Sequence, residues 1–111
     1  MRNLQILIIV FCMSFLPSCT KEKVSQGQDC ENEVSFSQQV LPLINQHCTG
    51  CHTNSNGYNL VDHASIASNA NAIVGAMRAN GFQLMPQGGP SLEDYQIKLV
   101  ECWIEQGKPN N

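Results

Sequence analysis

The sequence predicts an all-α domain. Apolar residues recur at three- and four-residue steps in several stretches, and no alternating segment is long enough to require a strand. At 111 residues the chain holds one small domain at most. It has no internal repeat. Domains of this size often need a staple or a cofactor to become stable.

The first helix is predicted from about Ser35 to His47. Phe36, Val40, Leu43 or Ile44, and His47 fall on one face. Ser35 is a suitable N-cap. Pro42 predicts a bend, because an interior proline lacks the N–H and clashes with the preceding turn. The middle is weaker. Asp62–Ser68 reads as one or two helical turns. Asn69–Asn80 reads as a separate helix, with Ile73, Val74 and Met77 on one face and Asn80-Gly81 as its stop. The last helix is the clearest. Ser91 is expected to cap it, with Asp94 at capping-box spacing, and Gly107 and Pro109 end it. Ile97, Val100 and Ile104 form one apolar face, and Tyr95, Leu99 and Cys102 form a second.

The N-terminus reads as an address. Arg2 precedes a run from Leu4 to Leu16 that is almost wholly apolar, the pattern of a secretory signal and too short to span a bilayer comfortably. Leu16-Pro17-Ser18-Cys19 resembles a bacterial lipobox, which implies acylation of Cys19 as the first residue of the mature chain. An ordinary cleaved signal is the alternative. The expected division is a lipoprotein signal peptide over 1–18, an acylated Cys19 and flexible tether over 19–33, and a folded domain over 34–111. The chain is then exported and membrane-anchored, facing the periplasm or the cell exterior. Loss of Arg2 with the signal takes the net charge from −3 to −4. No basic patch with interleaved aromatics exists, which argues against nucleic acid.

Six cysteines in so short a chain indicate an oxidising compartment or cofactor chemistry. Cys48-Thr49-Gly50-Cys51-His52 is C-x-x-C-H. Two thiols at this spacing can add to the two vinyl groups of one haem, and the adjacent histidine then reaches the iron. Haem attachment is the standard reading of this pentapeptide. A dithiol redox pair expects a βαβ context that is missing here, and a zinc site needs two further ligands at matching spacing.

For the sixth position of the iron the sequence offers Met77, Met85, His47 and His63. Met85 precedes Pro86, which pushes it out of helical conformation and onto a loop. Met77 falls on a helical apolar face and reads as core filler. His47 adjoins Cys48 and is expected beside the haem edge or in solvent. His63 is the rival that would make a bis-histidine site. Cys30 and Cys102 remain, and two leftover thiols in an oxidising compartment usually pair, two separate thiols being the alternative.

From Val34 to the C-terminus the chain resembles a small monohaem cytochrome c domain of bacterial lipoproteins. Val40-Leu41-Pro42-Leu43-Ile44 leads into the C-x-x-C-H, Leu84-Met85-Pro86 lies in a glycine-containing loop, and Trp103-Ile104 ends the last helix. The resemblance implies a helical shell wrapped around one haem c. Cys48 and Cys51 would attach it covalently, His52 would be the proximal ligand and Met85 the distal one, with Trp103 packing near the haem. The span from His52 to Met85 is shorter than in many soluble cytochromes c.

His/Met ligation saturates the iron and raises its potential. An electron carrier rather than an enzyme is therefore expected. Its partners would be redox donor and acceptor proteins with basic docking surfaces. The alternative is a haem-based sensor or enzyme module with an open or bis-histidine sixth position. A structural lipoprotein in which Cys48 and Cys51 form a disulfide would leave His52 without a role.

Overall fold

The computed structural model of the chain describes residues 30–53 and 58–111. The expected signal peptide over 1–18, Cys19 and the expected tether as far as residue 29 lie outside the described residues. The described residues are helical and contain no strand.

The first helical stretch has two parts. Phe36–Val40 is a π-helical turn, and it runs directly into α1, Leu41–His47. Pro42 sits at the start of α1, where its missing N–H costs little. A wide i→i+5 turn just ahead of the proline is how the chain avoids the clash between its ring and the preceding carbonyl. Ser35 caps the π turn, its hydroxyl accepting from the Gln38 amide at 3.3 Å.

The two middle segments are a single helix, α2, His63–Met77. Asp62 caps it, accepting from the Ser65 amide at 2.8 Å while the Ser65 hydroxyl donates to the Asp62 carbonyl at 3.0 Å. Ile66, Ala70, Ile73 and Met77 form its buried face. The Ser and Asn residues in this stretch bond inside the helix. Ser68 donates to the Ala64 carbonyl at 2.7 Å and Asn69 to the Ser65 carbonyl at 2.8 Å.

The last helix, α3, is Asp94–Glu105, and its cap is Glu93 rather than Ser91. The Gln96 side chain reaches back to accept from the Glu93 amide at 2.9 Å. The chain before it stays extended, and Leu92 enters the core. Ile97 and Val100 are buried as expected. Tyr95 departs from the second stripe and stands 57% exposed, while Cys102 on that stripe is buried.

The core joins Phe36, Val40 and Ile44 to Ile66 and Ile73 of α2 and to Val100 and Trp103 of α3. Cys30 and Cys102 are joined by a disulfide, which ties the N-terminal segment to α3. Gln106 reinforces the tie. Its side chain accepts from the Val34 amide at 2.8 Å and donates to the Asn32 carbonyl at 2.8 Å. Asn111 completes it by accepting from the Phe36 amide at 2.7 Å and the Ser37 amide at 2.8 Å. On the other flank Arg78, just past α2, bridges Asp94 at 3.0 Å and Glu101 at 2.6 Å of α3.

Candidate functional site

The C-x-x-C-H segment is wound onto the end of α1. The Cys48 amide donates to the Ile44 carbonyl at 2.8 Å, and the Cys51 and His52 amides both donate to the Cys48 carbonyl, at 3.1 and 3.0 Å. Both cysteine side chains and the histidine are thereby held on one tight turn. The Leu60 amide donates to the His52 carbonyl at 2.9 Å and brings the following chain back against the motif.

Met85 arrives from the opposite direction. After α2 the chain reverses through Ala79 and Gly81, both at positive φ (52° and 74°). The Met85 amide then donates to the Ala76 carbonyl at 3.0 Å, which fastens the loop to the last turn of α2. The Met85–Pro86 peptide is cis.

Between these parts lies a cavity of about 630 Å³, within the range of roughly 300–1,000 Å³ usual for small-molecule and cofactor sites. Cys48, Cys51 and His52 line it together with Met85 and Phe82. Ala72, Ile73, Ala76 and Met77 of α2 lie along it, and Tyr58, Leu60 and Leu92 also contribute. Among the described residues no Lys, Arg, Asp or Glu takes part; their polar lining consists of His47, His52, Tyr58, Asn69, Gln83 and Gln87 beside the two thiols.

Two ring nitrogens in this lining, His47 Nε2 and His52 Nδ1, are buried with no hydrogen-bond partner among the described residues. A buried polar atom left unpaired costs about 1–3 kcal/mol, so each calls for a partner that the described residues do not supply. Burial pushes the Cys48 thiol up to about 11 from 9.0, while Cys51 is exposed.

The structure brings Cys48, Cys51, His52 and Met85 to one cavity and leaves Trp103 and His63 away from it. Trp103 is fully buried in the core, stacked on Phe36 at 5.6 Å between ring centroids, and its Nε1 donates to the Pro109 carbonyl at 2.9 Å. Trp103 therefore belongs to the core and does not line this cavity. His63 packs edge-on against Phe36 and Trp103, and its Nε2 contacts the Lys108 carbonyl at 2.9 Å. The rival histidine is occupied elsewhere. Met77 is both core residue and cavity lining, 3% exposed. His47 lies in the lining rather than in solvent. Among the described residues no three His, Cys, Asp or Glu side chains converge to hold a metal ion.

Several lining residues escaped the sequence reading: Tyr58, Asn69, Ala72, Ala76, Phe82, Gln83, Gln87 and Leu92. Part of the signal was present, because Asn69, Ala72, Ile73 and Ala76 share one face of α2 and the two alanines leave room beside it. Comparison with protein-family models, curated proteins and solved structures finds no match.

Proposed function

We propose that the chain is an exported, lipid-anchored c-type cytochrome that relays single electrons. One observation carries the reading: the cysteine pair, the histidine and the methionine singled out by their chemistry line a single apolar cavity. The residues present fit a haem. Cys48 and Cys51 would hold it through thioethers, and His52, which lines the same cavity, would supply one ligand to the iron. Met85 on the facing loop would supply the other. When bound, the haem iron supplies a one-electron ferrous–ferric couple, raised in potential by sulfur ligation.

The chain's own residues then do three things. The turn Cys48–His52 holds both attachment points and a ligand on one short segment. The aliphatic lining from Leu60, Ile73, Met77 and Leu92 excludes water, which lowers the local dielectric. The loop that carries Met85 would offer its sulfur to the iron, and an iron so saturated would carry electrons without binding substrate. The mature chain carries a net negative charge by the accounting above, which suits donors and acceptors with basic docking surfaces and acts chiefly on encounter rate.

A bis-histidine site is the second reading, favoured now by His47, whose unpartnered Nε2 lies in the same lining. The sensor or enzyme alternative requires an iron open to ligands, so rapid carbon monoxide binding by the wild-type protein would favour it.

Intact-mass measurement on detergent-extracted protein, from a host with working cytochrome c maturation, tests the proposal. The expected species begins at Cys19 and carries fatty acyl groups and one covalent haem. A colourless protein of bare chain mass would sink the cytochrome reading. A haem-bearing protein without acyl groups would remove the anchor and leave the carrier.

A further inference from the structure

We propose that Gly75 and Phe82 together position Met85 at the cavity, Gly75 serving as the seat on which the Phe82 ring fixes the ligand loop. The inference rests on the His52/Met85 reading above.

Gly75 lies inside α2, where a glycine weakens a helix relative to alanine and calls for a reason. The reason is a close approach. A β-carbon placed on Gly75 would lie 2.5 Å from Phe82 Cδ2, 2.8 Å from Phe82 Cε2 and 3.2 Å from the Asn80 carbonyl oxygen. No such contact is tolerated without movement. Phe82 itself is 51% exposed and also lines the cavity. Half of its ring therefore stays in solvent, and its edge lies against the bare backbone of Gly75.

Two hydrogen bonds flank that contact. The Asn80 amide donates to the Gly75 carbonyl at 2.8 Å, and the Met85 amide donates to the Ala76 carbonyl at 3.0 Å. Residues 75 and 76 thus receive the loop at its start, at its middle and at Met85. A side chain at position 75 removes the middle support and crowds the first. The loop that delivers Met85 must then shift or lose its ring contact.

The test uses holoprotein and two readouts that a purely structural role would leave alone: the weak sulfur-to-ferric-iron band in the red, and carbon monoxide binding to ferrous protein. Gly75→Ala should weaken or abolish the band and open the iron to carbon monoxide, approaching Met85→Ala. Phe82→Ala, which introduces no clash at a half-exposed position, should weaken the band in part. The double variant Gly75→Ala/Phe82→Ala should lie much closer to Phe82→Ala than to Gly75→Ala, because the ring clash is gone and only the 3.2 Å approach to the Asn80 carbonyl remains. If Gly75→Ala keeps the wild-type band and excludes carbon monoxide, the ring merely swings into solvent and the inference is overturned. If Gly75→Ala does not accumulate, a wild-type band in Phe82→Ala overturns it equally. If Met85→Ala itself retains the band, the ligand assignment fails and the positioning claim falls with it. Loss in Met85→Ala with retention in both other variants refutes the positioning alone.

Discussion

Removing the Cys30–Cys102 disulfide should cost this domain a large share of its stability while leaving the cavity as it is. The two cysteines are 72 positions apart. On the chain-entropy account, closing a loop of that size in the unfolded chain is worth about 4 kcal/mol. A domain the size of the described region has a total stability of only roughly 4–12 kcal/mol, so the bond accounts for a third or more. Cys102 is 1% exposed, and replacing it with alanine also removes buried sulfur contacts, which adds to the loss. At about 4–8 °C per kcal/mol for domains of this size, the expected fall in melting temperature is roughly 15–30 °C. The assay is thermal unfolding of Cys30→Ser/Cys102→Ala against wild type, both without the acyl anchor and in the same cofactor state. No residue of α3 lines the cavity, so the variant's visible spectrum below its melting point should match wild type. A fall of less than about 5 °C would refute the entropic reasoning, and an altered spectrum would refute the separation of the disulfide from the site.

Two further outcomes follow from burial. In protein made without cofactor attachment, iodoacetamide should modify Cys51 first. Cys48, its thiol pushed up to about 11 from 9.0, should react roughly a hundredfold more slowly in native buffer than in urea, since each pKa unit is a tenfold change in thiolate; equal rates would show that the turn is not formed. The raised thiol favours its protonated form in the fold, so the stability it contributes is intact below pH 9.0 and is lost as pH rises toward about 11. Trp103→Ala should destabilise by about 3–5 kcal/mol in denaturant unfolding, as a fully buried ring is lost. It should not alter the ligand-sensitive spectrum, because Trp103 does not line the cavity.

The fold was most legible where periodicity and burial coincide. Phe36, Val40 and Ile44 on one side and Ile97 and Val100 on the other are buried as their spacing implies. It was least legible where side chains bond locally. Propensity penalises Ser68 and Asn69 because their side chains compete with the backbone, yet here both donate to carbonyls within α2 and the helix runs on unbroken. The start of α3 was misread for a related reason. Ser91 has the usual capping chemistry, but Leu92 must stay extended to enter the core, so capping passes to Glu93 and the longer Gln96. The chemistry of the site was visible in four residues. Its walls were not, because Tyr58, Phe82 and Leu92 come from segments without periodicity and meet only through long-range contacts. Trp103 illustrates the limit: its type and helix suit either core or cofactor, and only the partners Phe36 and His63, distant in sequence, decide between them.

The polar atoms are satisfied unequally across the domain. Around α3 the segment from Cys30 to Ser37 is closed by a disulfide, by Gln106 and by Asn111, and the one buried indole N–H has its acceptor in Pro109. That half is complete with protein groups alone. The cavity half is not. It leaves His47 Nε2 and His52 Nδ1 buried and unpartnered, it buries much of the Cys48 thiol, and it exposes the rings of Tyr58 and Phe82. Unpaired buried nitrogens and half-exposed aromatics both cost stability, and they fall together on one cavity. On the proposed reading a haem would cover the exposed rings and draw on a histidine of this lining. The loop after α2, fastened by the Asn80 and Met85 amides to the Gly75 and Ala76 carbonyls, is then the part that would present Met85 to the iron.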